Sequence, residues 1–257
     1  MKKIFVILFL LVFSYAQADD FSDAMVKAKL NFKNAVNKAD EKELIKVRGQ
    51  FERILQLKKD EWLVNYWIAF TDYNLALIHS QKEDKENIKK YTESAFTTLD
   101  KVIDKNPNFS DAYVLRLAAT FNRWLYEQDK MMDIISASQQ AEEMSKSADP
   151  NNPRYFLVKG ISLYWTPAAF GGGEEKALEQ FQKSEEYFKI RKEVNETYPD
   201  WGQDQLYGYY ALALMKRDKE GDMAKAKEYI DMALAIDPES GFIKSFVEKQ
   251  YNEKTGK

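Results

Sequence analysis

The carboxylate pairs Glu142-Glu143, Glu174-Glu175 and Glu185-Glu186 are the densest supply of groups in this chain that could serve as general acid and base. Adjacent residues on a helix project in different directions, so no pair can work at one site. They read as solvated helix faces. The one histidine, His79, lies beside Ile78 and Ser80 near an expected helix end and reads as a surface or capping residue. With no second imidazole and no cysteine, His-rich and thiolate metal sites, Cys nucleophiles and disulfides are excluded. No zinc-type His/Glu spacing or nucleophile motif occurs. Gly171-Gly172-Gly173 precedes an expected helix, a place where backbone N–H groups can cradle an anion. Glu174 and Glu175 already supply negative charge there, and no Gly-Lys-Ser/Thr follows. The loop reads as structural, a tight backbone turn that lets Phe170 tuck against the helices. The expectation is a chain that is not an enzyme and carries no cofactor or metal.

The ends and the composition narrow the class. Met1-Lys2-Lys3 is a basic start, Ile4 to Tyr15 is apolar apart from Ser14, and Ala16-Gln17-Ala18 is a small-x-small pattern before Asp19-Asp20. This predicts a secretory signal peptide over 1–18 and a single domain over 19–257. The compact basic leader favours a bacterial periplasm, with secretion as the alternative. No later segment approaches the ~20 apolar residues of a spanning helix. The absence of cysteine also argues against a lipid anchor. Lys+Arg number 38 and Asp+Glu 41, with no basic block, so nucleic acid is not an expected partner. Glycine and proline are scarce, at 10 and 6, which favours helix.

Apolar residues at three- and four-residue spacing predict helices throughout. The pairs run over about 21–37 and 41–57, 61–80 and 85–105, 110–127 and 130–147, 153–165 and 174–191, and 203–216 and 222–236. A last helix spans about 240–251. Asp40 is an expected N-cap with Glu43 three residues on, and Pro153 an expected first-turn proline. Two irregular links stand out, 166–173 and 196–202.

The second helices share a spacing. Ala226, Ile230, Ala233 and Pro238 are echoed by Ala95, Leu99, Val102 and Pro107, then by Ala177, Phe181 and Ser184. Val47, Phe51 and Ile54 form a weaker copy, and the third pair fits only through Ser138, Ser145 and Pro150. First helices carry a small mid-helix residue: Ala69, Ala118, Gly160 and Ala213. Antiparallel helices approach closely only where one side chain is small. Each pair alone leaves an apolar face exposed, so pairs must stack.

This pattern resembles the tetratricopeptide repeat family over most of 22–238. The resemblance implies an all-α helical-repeat solenoid of about five helix pairs with a C-terminal capping helix. It also implies that first helices line a concave binding face. Carried over to this sequence, that face holds the candidates Tyr66, Phe70, Tyr73, Asn74, Asn122, Arg123, Tyr164, Trp165, Tyr210 and Arg217. Core and groove compete for such an aromatic stripe, because large aromatics are mostly buried. The segment Thr166-Pro167-Ala168-Ala169-Phe170-Gly171-Gly172-Gly173 through Lys176-Ala177 is similar to one in exported bacterial repeat proteins. It is also similar to the Gly-Gly segment of the periplasmic subunit of TRAP-type transporters. The functional expectation is an exported scaffold that binds a protein or peptide partner on its concave face. The alternative is a solute-binding accessory of a periplasmic transport system, with a small-molecule ligand.

Overall fold

A computed structural model describes the backbone of residues 2–256 and the side chains of residues 20–256. The expected leader, 1–18, lies outside the described side chains. Eleven α-helices and no strand occur among the described residues. They pair as α1 (Lys2–Asn37) with α2 (Glu41–Leu55), α3 (Glu61–Ser80) with α4 (Lys85–Lys105), and α5 (Ser110–Asn122) with α6 (Met131–Ala148). Next come α7 (Pro153–Trp165) with α8 (Glu174–Ile190), and α9 (Gln203–Arg217) with α10 (Asp222–Ile236). A π-helical turn, Ile243–Val247, leads into α11 (Glu248–Thr255). The fold is the all-α repeat solenoid that the sequence pattern implies.

Local chemistry sets the helix starts. The Asp40 carboxylate accepts from the Glu43 backbone N–H at 3.1 Å and caps α2. Asp84 caps α4 in the same way at 3.2 Å. Pro153 opens α7 behind Asn152, whose side chain accepts from the Arg154 N–H at 2.9 Å. The small residues then let helices meet. Ala69, Ala95, Ala177, Ala213, Ala226 and Ala233 are fully buried. At Gly160 a Cβ would stand 2.4 Å from the Phe181 ring, so α7 and α8 touch there only because glycine has no side chain. Gly208 gives the same access to Phe242 and Ile243, which seat the C-terminal cap against α9.

The third pair leaves apolar side chains in solvent, in line with its poor match to the repeat. Met131, Met132 and Met144 on α6 are all more than 40% exposed.

Two expectations are corrected. Phe170 does not tuck in; it is 82% exposed. The inward side of its loop is backbone, since the Gly173 N–H donates to Leu163 O at 2.9 Å and caps α7. A Cβ on Gly172 would lie 2.1 Å from Thr166 O, so the loop packs through glycine and leaves Phe170 at its tip. His79 is not at the surface but 5% exposed. Its two ring nitrogens lie 3.2 Å from Glu41 and 3.2 Å from Asp84, and its ring stacks on Tyr91. The end of α3 is wedged between the start of α2 and the cap of α4.

The array also closes on itself. Asn37 at the end of α1 donates to the Asp237 carboxylate after α10 at 2.8 Å, and Lys33 pairs with Asp237 at 3.4 Å. Gly241 passes so close that a Cβ there would stand 2.0 Å from Asn37 O.

Candidate functional site

The link between α8 and α9, residues 191–202, has no regular structure and crosses the inner faces of the first helices as a strap. Each first helix before it supplies an anchor. From α1, Lys29 donates to Glu196 O and to Tyr198 O at 2.7 Å, and pairs with Asp200 at 3.1 Å. From α3, the Trp67 indole N–H donates to Thr197 O at 2.9 Å, and the Tyr66 hydroxyl accepts from the Trp201 indole at 2.8 Å. From the start of α5, Phe109 meets Tyr198 edge-on. From α7, Arg154 donates to Pro199 O at 2.6 Å and Trp201 O at 2.8 Å.

Arg154 is only 1% exposed and is balanced by Asp111 at 3.3 Å and Glu193 at 2.8 Å. Arg191 adds a second contact to Asp111 at 3.1 Å, and Asn152 a third at 2.9 Å. A buried charge is tolerable when its partners surround it in this manner. Lys29, Trp67 and Arg154 all donate to backbone oxygens of the strap, and these bonds fix its position.

Between strap, α1, α3, α9 and the turn after α10 lies a cavity of about 400 Å³. Its apolar wall is Phe32, Trp67, Phe70, Val36 and Trp201, and Leu30 and Ile236 stand at the rim. Its charged residues are Lys29, Lys33, Glu196, Asp200, Asp204 and Asp237. The Phe70 and Trp201 rings stand 4.8 Å apart, and the Lys29 ammonium lies 5.0 Å from the Trp67 ring centre. Burial lowers the Lys29 pKa against the pull of Asp200. Burial raises that of Asp204, and the Asp237 charge adds to the effect. A concave, mainly apolar cavity of this size with a few polar groups suits a small molecule.

The concave-face candidates separate into groups. Phe70 and Asn74 line the cavity. Tyr66 lies behind it, fully buried under Trp201, and Tyr73 stacks on Phe70. Burial raises the pKa of both tyrosines. Asn122 is buried and faces Thr92, and Arg123 pairs with Glu127 at 2.7 Å. Tyr164 is buried beneath Lys216, whereas Trp165 is 60% exposed. Tyr210 stacks on Tyr229 at 4.2 Å, and Arg217 is clamped by Asp222 at 2.6 Å and Glu175 at 3.2 Å. The structure therefore brings Tyr66, Phe70, Tyr73 and Asn74 together and leaves the others in separate places. Lys29, Trp67, Trp201 and Asp204 were not among the sequence candidates. The available signal was the aromatic run Tyr198-Pro199-Asp200-Trp201 inside a link too long for a simple turn.

No family model matches the chain, and no curated protein matches it. Two solved structures are similar. The HusA haemophore from Porphyromonas gingivalis superposes with a TM-score of 0.64 at 23% identity, over 77% of this chain and 95% of that one. A thermophilic TPR protein from Thermus thermophilus superposes with a TM-score of 0.56 at 14% identity, over 88% of this chain and 97% of that one. At these identities the likeness concerns the fold, a tetratricopeptide-like helical solenoid.

Proposed function

We propose that this chain is a non-catalytic helical-repeat protein that holds a small, largely apolar ligand in the cavity under the strap. One observation carries the reading. The inner faces of α1, α3 and α7 are bonded to the strap, and between the strap, α1, α3 and α9 lies an aromatic-walled cavity of about 400 Å³. An extended peptide needs a long open groove, whereas a compact solute needs an enclosure of this kind. The reading agrees with the solute-binding alternative suggested by the Gly171–Gly173 loop. Export to the periplasm belongs to the same proposal and rests on the leader sequence at 1–18. No described helix is long and apolar enough to cross a membrane.

The likeness to a haemophore makes haem a natural probe. Iron in haem is held by His, Cys, Met or Tyr, and among the described residues none of these types lines the cavity. A tetrapyrrole here would rest on Trp67, Phe70 and Trp201, with Lys29 and Lys33 as the cations nearest its carboxylates.

The test is a fluorescence titration of the full chain with the neutral apolar dye N-phenyl-1-naphthylamine. Saturable one-site binding that weakens in Leu30→Glu, at the rim, is expected. Absence of saturable binding overturns the reading.

A protein partner is the second reading, favoured by one feature. Trp165 and Phe170 stand 60% and 82% exposed on a loop braced by Gly172 and Gly173. Aromatic side chains of this kind dominate binding energy at interfaces. Cross-linking from the exported fraction, with Phe170→Ser as control, tests it; a partner retained in full by Phe170→Ser overturns this role for the loop.

A further inference from the structure

The charge of the cavity has a sign. Lys29 and Lys33 contribute two positive charges, and Glu196, Asp200, Asp204 and Asp237 contribute four negative ones. Lys29 is spent on Asp200 and two strap carbonyls, and Lys33 lies against Asp237. Asp237 is further satisfied by Asn37 and by the Glu239 backbone N–H at 3.2 Å. Among the described residues Asp204 has no ion-pair partner, and its carboxylate is held by backbone N–H groups, its own and that of Gln205. It sits in the first turn of α9, where the helix dipole favours its charge, yet burial still opposes that charge. The cavity is therefore left with surplus negative potential beside aromatic faces.

The aromatic wall is also suited to one type of charge. Ring faces are electron-rich and attract cations. The protein already uses this on one side, where the Lys29 ammonium lies 5.0 Å from the Trp67 ring centre. Phe70 and Trp201, their ring centres 4.8 Å apart, line the same cavity as Asp204. A carboxylate-bearing ligand would meet the half-buried Asp204 and the exposed Glu196, neither of which has an ion-pair partner among the described residues. An ammonium would meet both the acids and the rings.

We infer that the cavity selects an organic cation, an amine carried on an apolar body, with its ammonium towards Asp204 and its body against Phe70 and Trp201. This rests on the ligand-binding reading above and goes further by naming the charge of the ligand.

Three probes of equal chain length separate the two claims: decylamine, decanol and decanoate, each displacing N-phenyl-1-naphthylamine from the full chain at pH 7. The expected order is amine, then alcohol, then acid, with about tenfold between amine and alcohol, the scale of one desolvated cation–π or ion contact. Asp204→Asn should lower amine affinity several-fold and leave decanol unchanged. Glu196→Gln, at an exposed position, gives a smaller loss in the same direction and does not depend on Asp204 for folding. The amine preference should shrink as salt is raised. If alcohol and acid displace the dye as well as the amine does, the ligand-binding reading stands and the cation proposal falls. The same holds if haem, a dianion, binds more tightly than decylamine. If no probe displaces the dye, both fall.

Discussion

The Trp201 indole N–H donates to the Tyr66 hydroxyl at 2.8 Å, joining residues 135 apart in sequence inside the curve of the solenoid. Tyr66 is fully buried, so this bond satisfies its hydroxyl where water cannot. The bond also sets the plane of the Trp201 ring, which faces Phe70 and forms one wall of the cavity.

Trp201→Phe keeps most of the ring and removes the donor. The Tyr66 hydroxyl would then lose its one side-chain partner. A loss of about 1–3 kcal/mol is expected, the cost of orphaning a buried polar group. Urea denaturation read by far-UV circular dichroism measures it; an unchanged midpoint would show that the strap is not held through this contact.

Arg154→Met should be more damaging. It leaves Asp111 buried at 1% exposure with only Arg191 and Asn152 near it, and strips Pro199 and Trp201 of a donor. Removing one partner of a buried ion pair costs about 3–5 kcal/mol. Arg154→Lys should recover only part of that, because one ammonium cannot reproduce the forked guanidinium that reaches Glu193, Pro199 and Trp201 together. Thermal unfolding of both variants, with equal stability as the outcome that contradicts the argument, makes the comparison.

Gly172→Val tests the loop after α7. The added Cβ would stand 2.1 Å from Thr166 O and 2.7 Å from Leu163 O, both backbone atoms. Overpacking of this type costs about 1–3 kcal/mol. The cavity is built from other elements, so dye affinity in the folded variant should match the parent. A parent-like melting temperature would mean that the loop can shift at no cost.

Asp204→Asn should stabilise the protein near pH 7. Burial raises the folded-state pKa of Asp204 above its ordinary 3.8. The folded chain thus binds this proton more readily than the unfolded chain, and the ionised carboxylate costs stability above the folded pKa. That cost fades as pH falls through the raised pKa and is gone below 3.8. The melting temperature of the variant should exceed the parent's at neutral pH and converge with it on acidification. A gap that widens towards acid would reverse the sign and refute the account.

The helix pairs were legible because helix period, caps and small residues are local. Asp40, Pro153, Ala226 and Gly160 all do what their positions imply. The cavity was not legible, because it depends on where a link of irregular backbone lies. Nothing in the spacing of Lys29 or Trp67 shows that both will bond to carbonyls of residues 196–198, more than a hundred positions away. Phe70 and Asn74 were found because the small mid-helix residue Ala69 orients α3. Phe170 was misplaced because a glycine turn can face inward through its backbone and push its one large side chain out.

Stacked repeats behave as a one-dimensional chain in which each unit feels only its neighbours, so the ends fray before the middle. The contact of Asn37 and Lys33 with Asp237, over the bare backbone of Gly241, ties the first unit of this chain to the last. That seam also borders the cavity, so a ligand bound there and the joint between the two ends of the array draw on the same contact.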